Sequence, residues 1–298
     1  MTQFVQFLVG GASLGGVYAL LALGFVMVFR ASGVVNFAHP ALVMIGAYTI
    51  GRLATATHAP FAVTLLAGIA AAALAALIIQ RVLVRPMAAR SVIAVSIMTL
   101  GVDVVIQTEI TRRIGADILS MHDPWRDRVV QVGALTVPQT RLVALAVSVA
   151  VLAAFFAWFA FSDWGVAMRA VAEDPETAAL MGVPRTRVSA LAWTLAGALA
   201  AVAGLFITVF PSPGLESATA AVALRAFPAA IIGGLDSTGG AVAGGLIVGV
   251  AEVLSQGYAA DLSFLGPGFH TVMPYLVMVV VLLARPAGLF GTRELHRV

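Results

Sequence analysis

The chain has 298 residues, 61% hydrophobic and only 10% charged; soluble domains carry roughly 25% charged residues, so the composition excludes one and defines a polytopic membrane protein. It has no cysteine, which excludes disulfides and thiolate metal sites, and all 17 of its basic residues are arginine. Without a lysine it cannot carry the phosphate-binding loop of ATPases, so any ATP is used by partner subunits and no cofactor is expected on this chain; the pI near 9.9 reads as loop charge, not as a nucleic-acid patch.

Apolar stretches fall at 4–29, 34–51, 60–80, 91–110, 141–161, 189–210, 222–234, 239–254 and 271–284. They predict an all-α fold: a polytopic membrane helix bundle of about eight or nine segments, the seventh and eighth short or discontinuous. One transmembrane domain covers 1–298, with an external loop at 111–140 and a cytosolic loop at 162–188. Only Met1-Thr2-Gln3 precedes the first stretch, with no positive n-region, so it reads as a span and not a secretory signal. Placing 162–188 inside puts Arg30, Arg81, Arg85, Arg90, Arg169, Arg185, Arg187, Arg285, Arg293 and Arg297 in the cytosol. Arg52, Arg112, Arg113, Arg126, Arg128 and Arg141 are then external; ten against six predicts the N-terminus outside and the C-terminus inside.

In the first span Gly10-Gly-Ala-Ser-Leu-Gly-Gly16 shares the pattern GGAxxGG with Gly239-Gly-Ala-Val-Ala-Gly-Gly245. Each is expected to open a span. The match reads as an internal repeat or as two close helix contacts, and small residues favour the second. Asn36 and His39 then stand at the entrance of the second span, where Pro40 suits the first helical turn. This polar pair reads equally as a helix cap or interhelical hydrogen bond, or as part of the translocation path; His39 has no second ligand at metal spacing. In the fourth span Thr99, Asp103 and Gln107 recur at i, i+4 and i+8 and form one polar face. That face should point into the bundle or the path, because an acid facing lipid costs roughly 2.5–3.5 kcal/mol at the bilayer centre. Glu109 and Glu252 are expected near span ends within reach of water, with Arg225 a candidate partner for one of them. Such isolated acids form no clear proton relay.

The alternation in Val129–Val137 around Gly133-Ala134 predicts a small hairpin in the external loop. The most informative segment follows, between two spans. Asp174 is a good N-cap, Pro175 fits the first helical position, Glu176 lies in the first turn and Gly182 is a left-handed stop. Between them Ala178, Ala179, Leu180 and Met181 make a small apolar face suited to docking in a partner's groove. A helix lying on the bilayer is the other reading, but anionic lipid would repel its acidic centre. Further on, Gly233–Gly240 predicts a break between short helices, with Asp236, Ser237 and Thr238 as caps for the helix that follows. No HExxH, GxSxG or paired histidine ligands support an intramembrane enzyme.

The run Tyr18-Ala-Leu-Leu-Ala-Leu-Gly24, Val35-Asn-Phe-Ala-His39 and Met44-Ile-Gly-Ala-Tyr48 resembles the permease subunits of ABC importers for branched-chain amino acids. The resemblance continues through Gly165–Ala170, Glu176–Gly182, Ala226–Gly234, Gly239–Leu246 and Arg285–Gly291, and so covers nearly the whole chain in order. It implies that the 174–182 helix is the coupling element seated in an ATPase subunit. It also implies two ABC ATPase subunits, a second and different permease chain, a solute-binding protein outside, and location in a bacterial plasma (inner) membrane. The wider family takes up urea, short amides and aromatic solutes as well, and a self-sufficient secondary transporter or channel is the competing class. Pro40 stands where that family usually has glycine.

Overall fold

The computed structural model describes residues 2–57, 59–87, 90–115, 118–126, 128–132, 135–210, 214–216 and 218–292. In chain order the helices are α1 (Thr2–Ser32), α2 (His39–Thr57), α3 (Phe61–Ile78), α4 (Val92–Ile114), α5 (Gln139–Phe161) and α6 (Asp163–Glu173). They continue with α7 (Pro175–Leu180), α8 (Arg185–Ile207), α9 (Thr219–Leu224), α10 (Ala226–Gly233), α11 (Thr238–Gly257) and α12 (Met273–Ala284). Six helices among the described residues are long and apolar enough to cross a membrane, and α9–α10 and α12 are shorter apolar helices.

The bundle is built around α1, which has no polar face and is buried from Gly10 to Val28 apart from half-buried Ala12. A helix apolar on every side belongs in an interior. Its most extensive partner is α11, which crosses it antiparallel: Gly11 meets Val250, Gly15 meets Leu246, and Ala19 meets Gly245. A Cβ on Gly15 would lie 2.8 Å from the Leu246 Cα, and one on Gly249 would clash with the Gly15 backbone. Here hydrocarbon supplies no hydrophobic drive between helices, so close backbone packing holds the pair. The two GGAxxGG segments approach each other at Gly15 and Gly245, while Gly16 packs on Ser148 of α5 and Gly240 and Gly244 pack on α10, so both are close helix contacts. One expectation is corrected: Gly10 lies well inside α1 and does not open a span, because the helix already begins at Thr2. Thr238 does begin α11, directly before Gly239.

α8, α5 and α10 complete the wall around α1, while α2 and α3 pack on α8. α3 runs past the expected end at 80 through a π-helical turn, Ile79–Val84, and a 3-10 turn, Arg85–Met87. Leu66 and Leu74 of α3, Ile93 and Val105 of α4 and Val149 of α5 are exposed, as the outer surface of a bundle in lipid requires. Strands β1 (Val129–Val132) and β2 (Leu135–Pro138) pair antiparallel as the predicted hairpin, with Val130 opposite Val137; its turn, Gly133-Ala134, lies outside the described residues.

The two ends of the bundle are distinct. Phe29–Gly33, Val171–Glu173, Pro175, Arg185, Asp236 and Thr292 surround one cavity of about 330 Å³, which brings the end of α1, the α6–α7 joint, the start of α8 and the C-terminal segment to the same end. At another position Leu119 and Leu215 pair as an isolated bridge joining the α4–α5 and α8–α9 connections. Arg293 and Arg297 lie outside the described residues.

Candidate functional site

Local sequence builds α7 as a closed unit. The Asp174 carboxylate accepts from the Glu176 N–H at 2.9 Å and the Thr177 N–H at 3.0 Å, and the Thr177 hydroxyl donates to its other oxygen at 2.6 Å. These bonds to the charged form, led by Thr177, hold the Asp174 carboxyl below its ordinary value. Pro175 occupies the first turn, where its missing N–H is not needed. At the other end Gly182 adopts φ +84°, the Val183 N–H donates to the Ala178 carbonyl at 2.9 Å, and the Gly182 N–H donates to the Ala179 carbonyl at 3.1 Å. This crossed pair satisfies two carbonyls that the helix end would otherwise leave open. The apolar residues divide: Ala178 is buried against the bundle, whereas Ala179 is exposed, and Leu180 and Met181 are 87% and 80% exposed. Ala178 therefore seats α7, and its three neighbours are what it offers outward. Arg169 braces the support from behind, donating to the Phe159 carbonyl at 2.7 Å and lying over the Phe159 ring.

The other predicted residues converge on the start of α2. α1 ends at Ser32, the chain turns back inward, and α2 begins only at His39, not at 34. Its first N–H groups are thus buried, where no water can satisfy them. Asn36 Oδ1 accepts from the Ala38 N–H at 3.0 Å. α4 supplies the rest: Thr99 Oγ1 accepts from the Phe37 N–H at 3.0 Å, and Asp103 Oδ1 accepts from the Ala41 N–H at 2.9 Å. Gln107 donates to Asp103 Oδ2 at 2.5 Å. Pro40 sits between these donors and has no N–H to lose. Asp103 is only 7% exposed, so the polar face of α4 points into the bundle as expected, and what it touches is the N-terminus of another helix. A carboxylate there complements the positive end of the helix dipole. His39 is fully enclosed, its ring 4.5 Å from Phe25, which in turn packs on Phe227 of α10. No group of three or more metal-ligating side chains occurs among the described residues.

Glu252 does not lie within reach of water, contrary to expectation. Glu252 is 2% exposed, accepts from the Tyr18 hydroxyl at 2.8 Å and pairs with Arg225 at 2.5 Å. Arg225 stands at the joint of α9 and α10, so this cluster ties a broken helix to α1 and α11. Glu109 instead pairs with Arg112 and Arg113 at the end of α4. Asp236 and Thr238, also expected as caps, do not cap α11. Ser237 alone caps α11, accepting from the Gly240 N–H at 3.0 Å, while Asp236 accepts from Thr292 and pins the C-terminal segment. That segment then closes the end of α10, with the Leu289 and Phe290 N–H groups donating to the Ile232 and Gly233 carbonyls.

The chain is thus a polytopic membrane helix bundle with a broken helix, buried cross-helix polar ties and a capped helix exposed at one end, and comparisons with known proteins give its family. The chain belongs to the family described as "branched-chain amino acid transport system / permease component", whose model matches residues 7–282. It is 30% identical over 307 residues to the high-affinity branched-chain amino acid transport system permease protein LivH of Salmonella typhimurium, covering 99% of this chain and 98% of that protein. LivH of Escherichia coli is 30% identical over 308 residues, with the same coverage. BraD of Pseudomonas aeruginosa, a permease of the same description, is 29% identical over 312 residues, again 99% and 98% of the two chains. No solved structure matches.

Proposed function

We propose that this chain is a transmembrane subunit of an ATP-driven ABC importer that moves branched-chain aliphatic amino acids, delivered outside by a separate binding protein, into the cell. The observation that carries the reading is α7: a helix capped at both ends and seated by Ala178, with Ala179, Leu180 and Met181 turned outward. Such a unit transmits a push without deforming. ATP binding closes the two ATPase subunits, α7 follows, and the movement enters the bundle through α6 and α8. The path opens to one side at a time. Orientation is N-terminus out and C-terminus in, which puts the α7 end in the cytosol of a bacterial inner membrane. The chain pairs with a second, different permease subunit. Two chemical facts support ATP use in separate subunits and not a proton-coupled carrier. The chain has no lysine for a phosphate-binding loop, and two of its buried acids are already committed, Asp103 to a helix cap and Glu252 to Arg225 and Tyr18.

The experiment is uptake into proteoliposomes holding the complete complex and its binding protein. Leucine, isoleucine or valine should raise ATPase activity and accumulate only with internal ATP. Accumulation driven by a proton gradient without ATPase subunits would overturn the transport class; stimulation by urea or short amides in place of leucine would overturn the substrate.

A further inference from the structure

We infer that the α7 end of the bundle carries a binding site for the phosphate group of an anionic membrane lipid. A cavity of about 360 Å³ lies between the end of α1, the π-helical end of α3, the start of α4 and the start of α8. Arg85, Arg90 and Arg185 line it, with no carboxylate among its lining residues. Among the described residues none of these three forms an ion pair with a carboxylate. Three guanidiniums brought to one cavity repel one another unless an anion joins them, and their planar forks match phosphate oxygens. Ser189 and Gln80 add polar groups. Gln80 is 3% exposed, and one end of its amide, assigned as Oε1, has no hydrogen-bond partner while the other end donates to Ser189 at 3.4 Å. The local backbone has a role in this: the π turn at Ile79–Val84 shifts the helix register so that Gln80, Val84 and Arg85 all reach the cavity.

The remaining wall decides between a lipid and a free phosphate. Val34, Val84, Val92 and Val95 are apolar, and Val92 with its neighbour Ile93 is also exposed on the outer surface of α4. A cationic head with apolar sides suits a glycerophospholipid, whose phosphate lies beside its acyl chains; inorganic phosphate gains nothing from the valines. Arg185, Ala31 and Ser32 also line the neighbouring cavity at the base of α7, so an occupant fixing Arg185 would stiffen the support of that helix.

The test is native mass spectrometry and thermal stabilisation of the full chain in neutral detergent. It is titrated with phosphatidylglycerol, with phosphatidylcholine and with inorganic phosphate. Phosphatidylglycerol should bind and stabilise, and the Arg85→Gln/Arg90→Gln/Arg185→Gln variant should bind it roughly 100-fold more weakly, at about five-fold per arginine. Arg81→Gln, on the same π turn but outside the cavity, should bind normally. If the triple variant does not fold, Arg85→Gln alone should still show its five-fold loss. Equal binding of phosphatidylcholine, or full stabilisation by inorganic phosphate alone, would overturn the lipid assignment. So would unchanged lipid binding by the triple variant combined with loss of its ATPase subunits, which would make the cavity a protein contact.

Discussion

Replacing Asp103 with leucine isolates the role of the α2 cap. The wild-type carboxylate accepts one backbone bond, from Ala41 at 2.9 Å, and one side-chain bond, from Gln107. Losing a bond from a buried N–H to a charged acceptor costs about 1.5–3 kcal/mol, and the Gln107 bond, made within α4 at i, i+4, adds roughly 0.2–0.5 kcal/mol. The leucine variant should therefore lose about 2–4 kcal/mol, seen as a lower apparent melting temperature in detergent and as poorer yield. Asp103→Asn keeps an acceptor oxygen for Ala41 and should lose less than half as much. Thr99→Val removes the bond from the Phe37 N–H together with the hydroxyl's own bond to the Ser96 carbonyl and should cost about 1 kcal/mol. The assay is fluorescence-detected unfolding of the purified chain, with uptake measured in parallel. If Asp103→Leu melts at the wild-type temperature and loses only transport, Asp103 acts on the solute and the capping account is wrong.

Glu252→Leu strands the Arg225 guanidinium, so it should destabilise by about 3–5 kcal/mol; adding Arg225→Met should recover part of that, and a double-mutant cycle showing simple additivity would deny the coupling. Gly249→Leu forces α11 off the backbone of Gly15 and should abolish folded protein in size-exclusion profiles, whereas Gly239→Ala, which meets nothing, should behave as wild type. Asp174 has a depressed carboxyl, so its capping contribution is in place above the ordinary aspartate value and fades as pH falls through its lower folded value. Thr177→Val should move the Asp174 titration, followed by carboxyl NMR, back upward; an unmoved titration would remove Thr177 as its cause.

What was legible in the sequence was local. Asp174, Pro175 and Gly182 act within a few residues of themselves, so both ends of α7 could be read directly. Spacing along α4 showed that Thr99, Asp103 and Gln107 share a face that must avoid lipid. It could not show that the face meets the start of α2, because that contact depends on α2 beginning deep in the bundle. Glu252 seemed to belong near water since its position in α11 was judged from distance to a helix end; its enclosure comes from Tyr18 on α1 and Arg225 at a helix break. Asp236 stood one residue before the true cap, and the competing donor, Thr292, is far along the chain. Nothing in apolar periodicity marks the π turn that extends α3, because it changes hydrogen bonding without changing composition.

The most direct measurement of the central claim uses Ala179→Arg, which places a long cation on the exposed side of α7 and leaves Asp174, Ala178 and Gly182 intact. The chain should insert and fold normally, fail to retain its ATPase subunits on co-purification, and lose uptake. If the Ala179→Arg chain still holds its ATPase subunits and transports at the wild-type rate, α7 is not the coupling element.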